Sequence, residues 1–144
     1  MGIGSLEKRH RNAVMKLEGE VYPETFQLGG NLFDDISAEF SCVVTNEEEE
    51  VVGYCLVEWD ERMDSLYIAD IVRLRGASVR AIEMLQWVMA KAIQRGIDTV
   101  SAECRSTSVH LIEASGLEVL HQKTSFCMRR WEKMTSVTVR LPRA

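Results

Sequence analysis

Three arginines, Arg73, Arg75 and Arg80, fall within eight positions of one another around the run RLRGAS, residues 73–78. An apolar strand precedes this run and a long amphipathic segment follows it. A cationic turn that leads from a strand into a helix suits an anion. The first backbone N–H groups of a helix have no internal partner, and the helix dipole favours negative charge there. Arginine forks also match phosphate oxygens. The plainer reading is a set of solvated arginines balancing an acidic chain. Groups able to move protons are the strand carboxylates Glu58, Asp70 and Glu103, with His110, Cys104 and Ser108 further on. Glu103 stands near the carboxyl end of its strand, where ligands tend to bind. Asp70 lies inside its strand, where a structural hydrogen bond is an equal use for it. Neither the three histidines nor the four cysteines have zinc-ligand spacing. No GxSxG, HExxH or full Walker loop is present.

The elements that must position these groups follow from periodicity. Residues 6–22 carry a helical apolar stripe with Ser5 as its cap, and Pro23 stops it. A loop with Gly29-Gly30 leads to a short helix over residues 32–40. Residues 41–45, 51–59 and 65–72 read as three strands joined by polar turns, an antiparallel meander. Both faces of residues 51–59 are apolar, so that strand is expected to be covered on both sides. The long helix spans residues 79–95, with Ser78 as its cap candidate and Gly96 as its stop. Its apolar stripe is Val79, Ile82, Leu85, Val88, Met89, Ala92 and Ile93, broadened by Met84 and Trp87. A strand at residues 98–103 follows this crossover helix, so it should lie parallel to residues 65–72 through a right-handed connection. A short helix before Gly116, a hairpin of residues 117–122 and 125–131, and an edge strand in the tail complete the chain. The sheet is therefore mixed, mostly antiparallel, with one central parallel pair.

The bulk numbers narrow the function classes. A chain of 144 residues fits one domain, residues 1–144, with a real core. A net charge of −5 argues against a general nucleic-acid surface, so no nucleic-acid partner is expected. No run reaches the roughly 18 apolar residues of a membrane helix, and the first residues hold no signal-peptide core. The expectation is a cytoplasmic protein with no membrane partner. Its cysteines are expected to be buried free thiols.

The order of elements and several stretches resemble the GNAT family of acyl-CoA-dependent N-acyltransferases over nearly the whole chain. LYIADIV looks like that family's fourth strand. The helix ending in RG, the strand DTVSAEC and the segment STSVHLIEASGLEVL look like the elements that follow, and LEGEVYPE looks like the end of the first helix. The family's first strand has little room here, so residues 1–3 give a stub or the strand is absent. The resemblance implies a three-layer α/β (α+β) fold with helices on both faces of the sheet. It implies acetyl-CoA (coenzyme A) as acyl donor and a primary amine of a small molecule or protein as acceptor. Ile71, Val72 and Arg73 would meet the pantetheine arm, with an oxyanion donor among the backbone N–H groups near Val72. Arg73, Gly76 and Ser78 match the family's pyrophosphate pattern Q/R-x-x-G-x-G/A, with Arg75, Ala77, Val79 and Arg80 around them. Counting back from Gly96 instead puts the small positions at Val79 and Ala81. Glu58, Asp70 or Glu103 would serve as base, with Glu103 in the better position. The family's usual tyrosine acid falls at Ile112, which cannot give a proton, and His110 is the nearby substitute. That departure supports an alternative: a GNAT-fold binding or regulatory module without turnover. A binder of some other phosphate compound is a third reading, and pairing through an edge strand could make a homodimer.

Overall fold

In a computed structural model, which describes residues 2–21, 35–105, 109, 112–113, 117–127 and 132–143, seven strands form one sheet. They are β1 (Gly2–Ser5), β2 (Cys42–Thr45), β3 (Val51–Asp60), β4 (Ser65–Arg73), β5 (Thr99–Cys104), β6 (Glu118–Cys127) and β7 (Glu132–Arg140). Their spatial order is β1-β2-β3-β4-β5-β7-β6. Among the described residues only β4 and β5 pair in parallel, and the other pairs are antiparallel. The crossover between the parallel strands is α2 (Ala81–Arg95); α1 (Arg11–Val21) precedes β2. The first strand is thus present as a four-residue stub.

Each face of the sheet has its own core. Met84, Val88 and Ala92 of α2 are fully buried with Cys42, Val44, Cys55, Val57, Leu66 and Val100. Burying each Val or Met side chain of such a seam contributes about 1.5–3 kcal/mol. Val14 and Leu17 of α1 pack with Val43, Tyr54, Leu56 and Val72 on the opposite face. Strand β3 lies between the two clusters and is covered on both sides, as its sequence leads one to expect. The buried seam of Met84, Val88 and Ala92 lies within the expected stripe, of which Ile82 alone is exposed.

Strand β4 contains one residue more than its partner. Leu56 pairs with Asp70 and Val57 with Ile68, so Ala69 is the extra residue of a bulge. The bulge reverses the alternation. Leu66, Ile68 and Ile71 join the α2 face, whereas Val72 joins the α1 face. It also places Asp70 on the α1 face, buried, where the Tyr54 hydroxyl donates to its Oδ2 at 2.9 Å. That is the structural use of Asp70.

Several expected boundaries move, each for a local reason. Ser5 does not cap α1, because it pairs with Cys42 and the Leu6 N–H continues onto the Ser41 carbonyl at 3.0 Å. Helical structure starts instead with a 3-10 turn at Lys8–His10, where the Glu7 N–H donates to His10 Nδ1. Burial, first, and then Arg9 lower the pKa of this histidine. Most of residues 22–40 lies outside the described residues, but the helix expected there does not reach Phe40. The Ser37 N–H is taken by the Val57 carbonyl at 2.7 Å, and Phe40 turns into the core against the edge of Trp59. The start of α2 is Ala81 rather than Val79, with Arg80 in the capping position and extended (ψ 150°). Ser78 is not the cap. Val79 is held in the core beside Gly53, which keeps the backbone extended for two residues longer.

The C-terminal pairing differs most. The expected hairpin of residues 117–122 and 125–131 is one ten-residue strand, β6, and its partner is the tail. The tail is no edge strand, since β7 inserts between β5 and β6. Its Met134, Val137 and Val139 are buried, which an edge position would not achieve. Of the expected helix before Gly116, only Val109, Ile112 and Glu113 are described, and they are helical. The four cysteines are free, with Cys42 and Cys55 buried and Cys104 and Cys127 half-buried. Burial pushes the Cys42 thiol up to about 12, so it stays neutral.

Two substitutions test this packing. Tyr54→Phe removes the hydroxyl that donates to buried Asp70 and is expected to cost about 1–3 kcal/mol of unfolding free energy, read from the urea midpoint. A Cβ at Gly53 would stand 3.3 Å from the Val72 carbonyl oxygen and 3.5 Å from both Met84 Sδ and Val79 Cγ1. Gly53→Val should therefore destabilise by about 1–3 kcal/mol through overpacking, with a lower melting temperature.

Candidate functional site

Parallel strands that begin together need not stay together. Strands β4 and β5 pair from Ser65↔Thr99 to Ile68↔Ala102, and there the pairing ends. Strand β4 continues for five residues and β5 for two, so the strands part at their carboxyl ends. The bulge at Ala69 sits where they separate. Beyond it, β4 is bonded on one side only. The Leu74 N–H donates to the Val52 carbonyl at 2.7 Å. In an antiparallel ladder, bonded and non-bonded pairs alternate. Val72 and Asp70 thus turn their backbone groups towards β3, which agrees with the Val72 carbonyl lying over Gly53. Ile71 and Arg73 turn their N–H and C=O groups the other way, into the gap. A polar backbone edge of this kind can accept a strand-like ligand.

The gap leads to the turn singled out from the sequence. The Ala77 N–H donates to the Leu74 carbonyl at 3.0 Å, and Gly76 has φ 88°. This is a type II turn, which needs a positive φ at its third residue and therefore glycine. Arg73 reaches across it with Nη1 3.4 Å from the Val79 carbonyl, which braces the turn against the helix start. Arg80 is exposed and bonded through Nε to Glu83 at 3.0 Å, so its charge is partly spent on a surface pair. Arg75 is exposed and, among the described residues, has no ion-pair or hydrogen-bond partner. Ala77 is half-buried, Ser78 exposed and Val79 buried. No side chain of Arg80 caps α2, so the positive end of its dipole faces the turn. A cleft of about 490 Å³ lies between the turn and the β2–β3 hairpin, but Glu47 and Glu48 form its far wall. Those carboxylates repel phosphate. Hydrogen bonding and charge from Glu50 raise the pKa of Glu48.

On the α1 face, register aligns a polar row across the sheet. Glu58 pairs with Tyr67, Tyr67 with Ser101, and Ser101 with Thr138, whose hydroxyl is 2.9 Å from that of Ser101. These residues line a cavity of about 760 Å³ that extends to the β3–β4 turn. Glu103 is exposed, on the same face as Ser101, one residue past the last β4–β5 pair. Desolvation raises the Tyr67 pKa most, followed by Glu103, Glu58 and Cys127. Glu103 thus stands at the mouth of the gap, and Asp70 accepts from the Tyr54 hydroxyl. His110 lies outside the described residues. Ile112 packs against the core on the α2 face. No group of three metal-ligating side chains forms among the described residues, and none of the described helices is long and apolar enough to cross a membrane.

Tyr67 was not marked by sequence reasoning. Its signal was present as a polar ring between buried Leu66 and Ile68. What hid its relation to Asp70 is the bulge, because residues three apart on a regular strand face opposite ways.

The sequence matches no family model and no curated protein. Solved structures do match. The ribosomal-protein-S18-alanine N-acetyltransferase from Escherichia coli aligns over 98% of this chain and 92% of its own, with TM-score 0.72 and 16% identity. A GNAT superfamily phosphinothricin acetyltransferase from Sinorhizobium meliloti, in complex with AcCoA, aligns over 97% and 88%, with TM-score 0.72 and 15% identity. Arabidopsis thaliana Naa50, in complex with the bisubstrate analogue CoA-Ac-MVNAL, aligns over 95% and 96%, with TM-score 0.70 and 13% identity. The sheet order, the single parallel pair, the helices on both faces and these alignments agree on one conclusion: the chain has the GNAT fold.

Proposed function

We propose that this protein is an acyl-CoA-dependent N-acetyltransferase that passes an acetyl group directly to a primary amine of a small molecule or protein. The observation that carries the reading is the parting of β4 from β5 beyond Ile68↔Ala102. It leaves the backbone edge of Ile71 and Arg73 open, and that edge suits the amide groups of a pantetheine arm. The arm would run towards the Gly76 turn and the uncapped start of α2, where backbone amides and Arg75 suit a pyrophosphate. The start of the helix at Ala81 supports the register counted back from Gly96. Phosphates would then lie at the helix end rather than in the cleft walled by Glu47 and Glu48. Two of the similar structures hold acetyl-CoA or a coenzyme A conjugate, which is the ligand class this opening would take.

In the proposed reaction Glu103 takes a proton from the acceptor ammonium, either directly or through water. A backbone N–H on the open edge of β4 stabilises the carbonyl oxygen. Asp70 holds Tyr54 and keeps the bulge in register, so its part is structural. The row of Glu58, Tyr67 and Glu103 offers the acceptor a negative surface.

Binding and turnover separate this reading from a module without activity. Acetyl-CoA at 100 times its Kd should stabilise the protein by about 2.7 kcal/mol, read as a rise in melting temperature. Arg75→Ala should shrink that rise. Gly76→Val should shrink it further, because valine at positive φ distorts the turn. Absence of any shift with millimolar acetyl-CoA and other acyl-CoAs would reject the proposal. A shift without thiol release across a panel of amines would establish the binding module instead.

A further inference from the structure

Ile112 on the α2 face is an apolar side chain packed against the core and cannot give a proton. A phenol nevertheless stands at the foot of the gap. Tyr67 precedes by one residue the Ile68↔Ala102 pair at which β4 and β5 part. It is 39% exposed, so its ring is open to the cavity rather than filling core. Register puts it beside Glu58 on one side and Ser101 on the other, with Glu103 two residues further along β5 on the same face. The β4–β5 register alone puts it on the face of Glu103, and the bulge at Ala69 turns Asp70 to that face as well. We infer that Tyr67 is the proton donor to the departing thiolate, acting opposite Glu103 as base. This inference rests on the acetyl-transfer reading.

The charged and titratable groups around the phenol support the assignment. Glu58 faces it from β3, Glu103 from β5 and Cys127 from β6, and all three act to hold its proton on, as does desolvation. Asp60, Glu61 and Arg62 of the β3–β4 turn line the same cavity. A phenol in largely negative surroundings stays protonated through the neutral range, which suits a donor and disfavours a base. The proton count closes. Glu103 removes one proton from the acceptor ammonium, and the free amine forms a C–N bond to the thioester carbonyl carbon. As the C–S bond breaks, sulfur keeps the electron pair and takes the Tyr67 proton. The nitrogen of the new amide returns its extra proton to the Tyr67 oxygen, and Glu103 releases its proton to water. The products are an amide, a free thiol and one proton.

The test compares the full chain with its Tyr67→Phe variant in thiol-release assays against peptide and small primary amines. Two acetyl donors are used: acetyl-CoA, and 4-nitrothiophenyl acetate, whose thiolate leaves without help. The expected result is a fall in kcat of about 10²-fold or more with acetyl-CoA. KM for acetyl-CoA and its thermal shift should stay unchanged, and the loss should be much smaller with the activated donor. Equal losses with both donors would assign Tyr67 a structural role and overturn the inference. An active wild type matched by Tyr67→Phe would overturn it alone. A wild type with neither thermal shift nor thiol release would overturn the acetyl-transfer reading, and this one with it.

Discussion

The extra residue in β4 sets most of what lies around it. On a regular strand Asp70 would share the face of Leu66 and Ile68, under α2, in a core made of Met84, Val88, Val57 and Val100. A carboxylate without a partner there would cost several kcal/mol or give up its charge. The bulge at Ala69 turns Asp70 to the other face, where the Tyr54 hydroxyl reaches it at 2.9 Å. The same turn carries Ile71 into the α2 core. The bend also accounts for the limit of β5, which follows β4 only to Ala102. One buried hydrogen bond and one inserted alanine thus fix the register, the covering of both faces and the opening between the parallel strands.

The opening would be of little use if the chain leaving β4 filled it. Gly53 prevents this. A Cβ there would already meet the Val72 carbonyl oxygen at 3.3 Å and touch Val79 and Met84 at 3.5 Å, so any side chain beyond Cβ would push those two off β3. Val79 draws the chain away from the gap and holds Arg80 extended, which delays the first turn of α2 to Ala81. The type II turn at Gly76 makes the reversal needed to bring Val79 back over the sheet. Arg73 then ties the two ends of the excursion together through the Val79 carbonyl. That the capping position falls on Arg80, whose side chain makes no cap bond, is thus a consequence of packing upstream.

Periodicity made the meander, the crossover helix and the parallel pair legible, because each buries a face with its own repeat. It misled where tertiary pairing overrode local signals. Lys123 and Thr124 looked like a break between two strands, yet Thr124 meets Thr135 across the ladder at 3.1 Å and β6 runs straight through. The tail alternates Val137, Val139 and Leu141, which reveals a strand but not its place. Only its pairing with β5 on one side and β6 on the other shows that it is internal. At the candidate site, Arg73, Gly76 and Glu103 could be read from residue type and position. Tyr67 carried only the weak signal of a polar ring between Leu66 and Ile68, and its sharing a face with Asp70 depends on an insertion that leaves no mark in the residues themselves.

The two faces of the sheet divide the chemistry available near the gap. On the α2 face the strand residues there are Ile68, Ile71, Ala102 and Cys104, and burial raises the pKa of that thiol above its usual value. None of these is suited to carry a proton at neutral pH. On the α1 face the corresponding residues are Glu58, Tyr67, Ser101 and Glu103. The strand groups able to exchange a proton, among the described residues, therefore lie on the α1 face, while the cationic turn and the helix dipole lie at the carboxyl end of β4. In the proposed reaction this separates the two substrates by charge. Phosphates are held where the backbone is positive, and an ammonium is drawn to a surface with two carboxylates. The phenol between them is neutral, so it can serve the leaving group without repelling either partner.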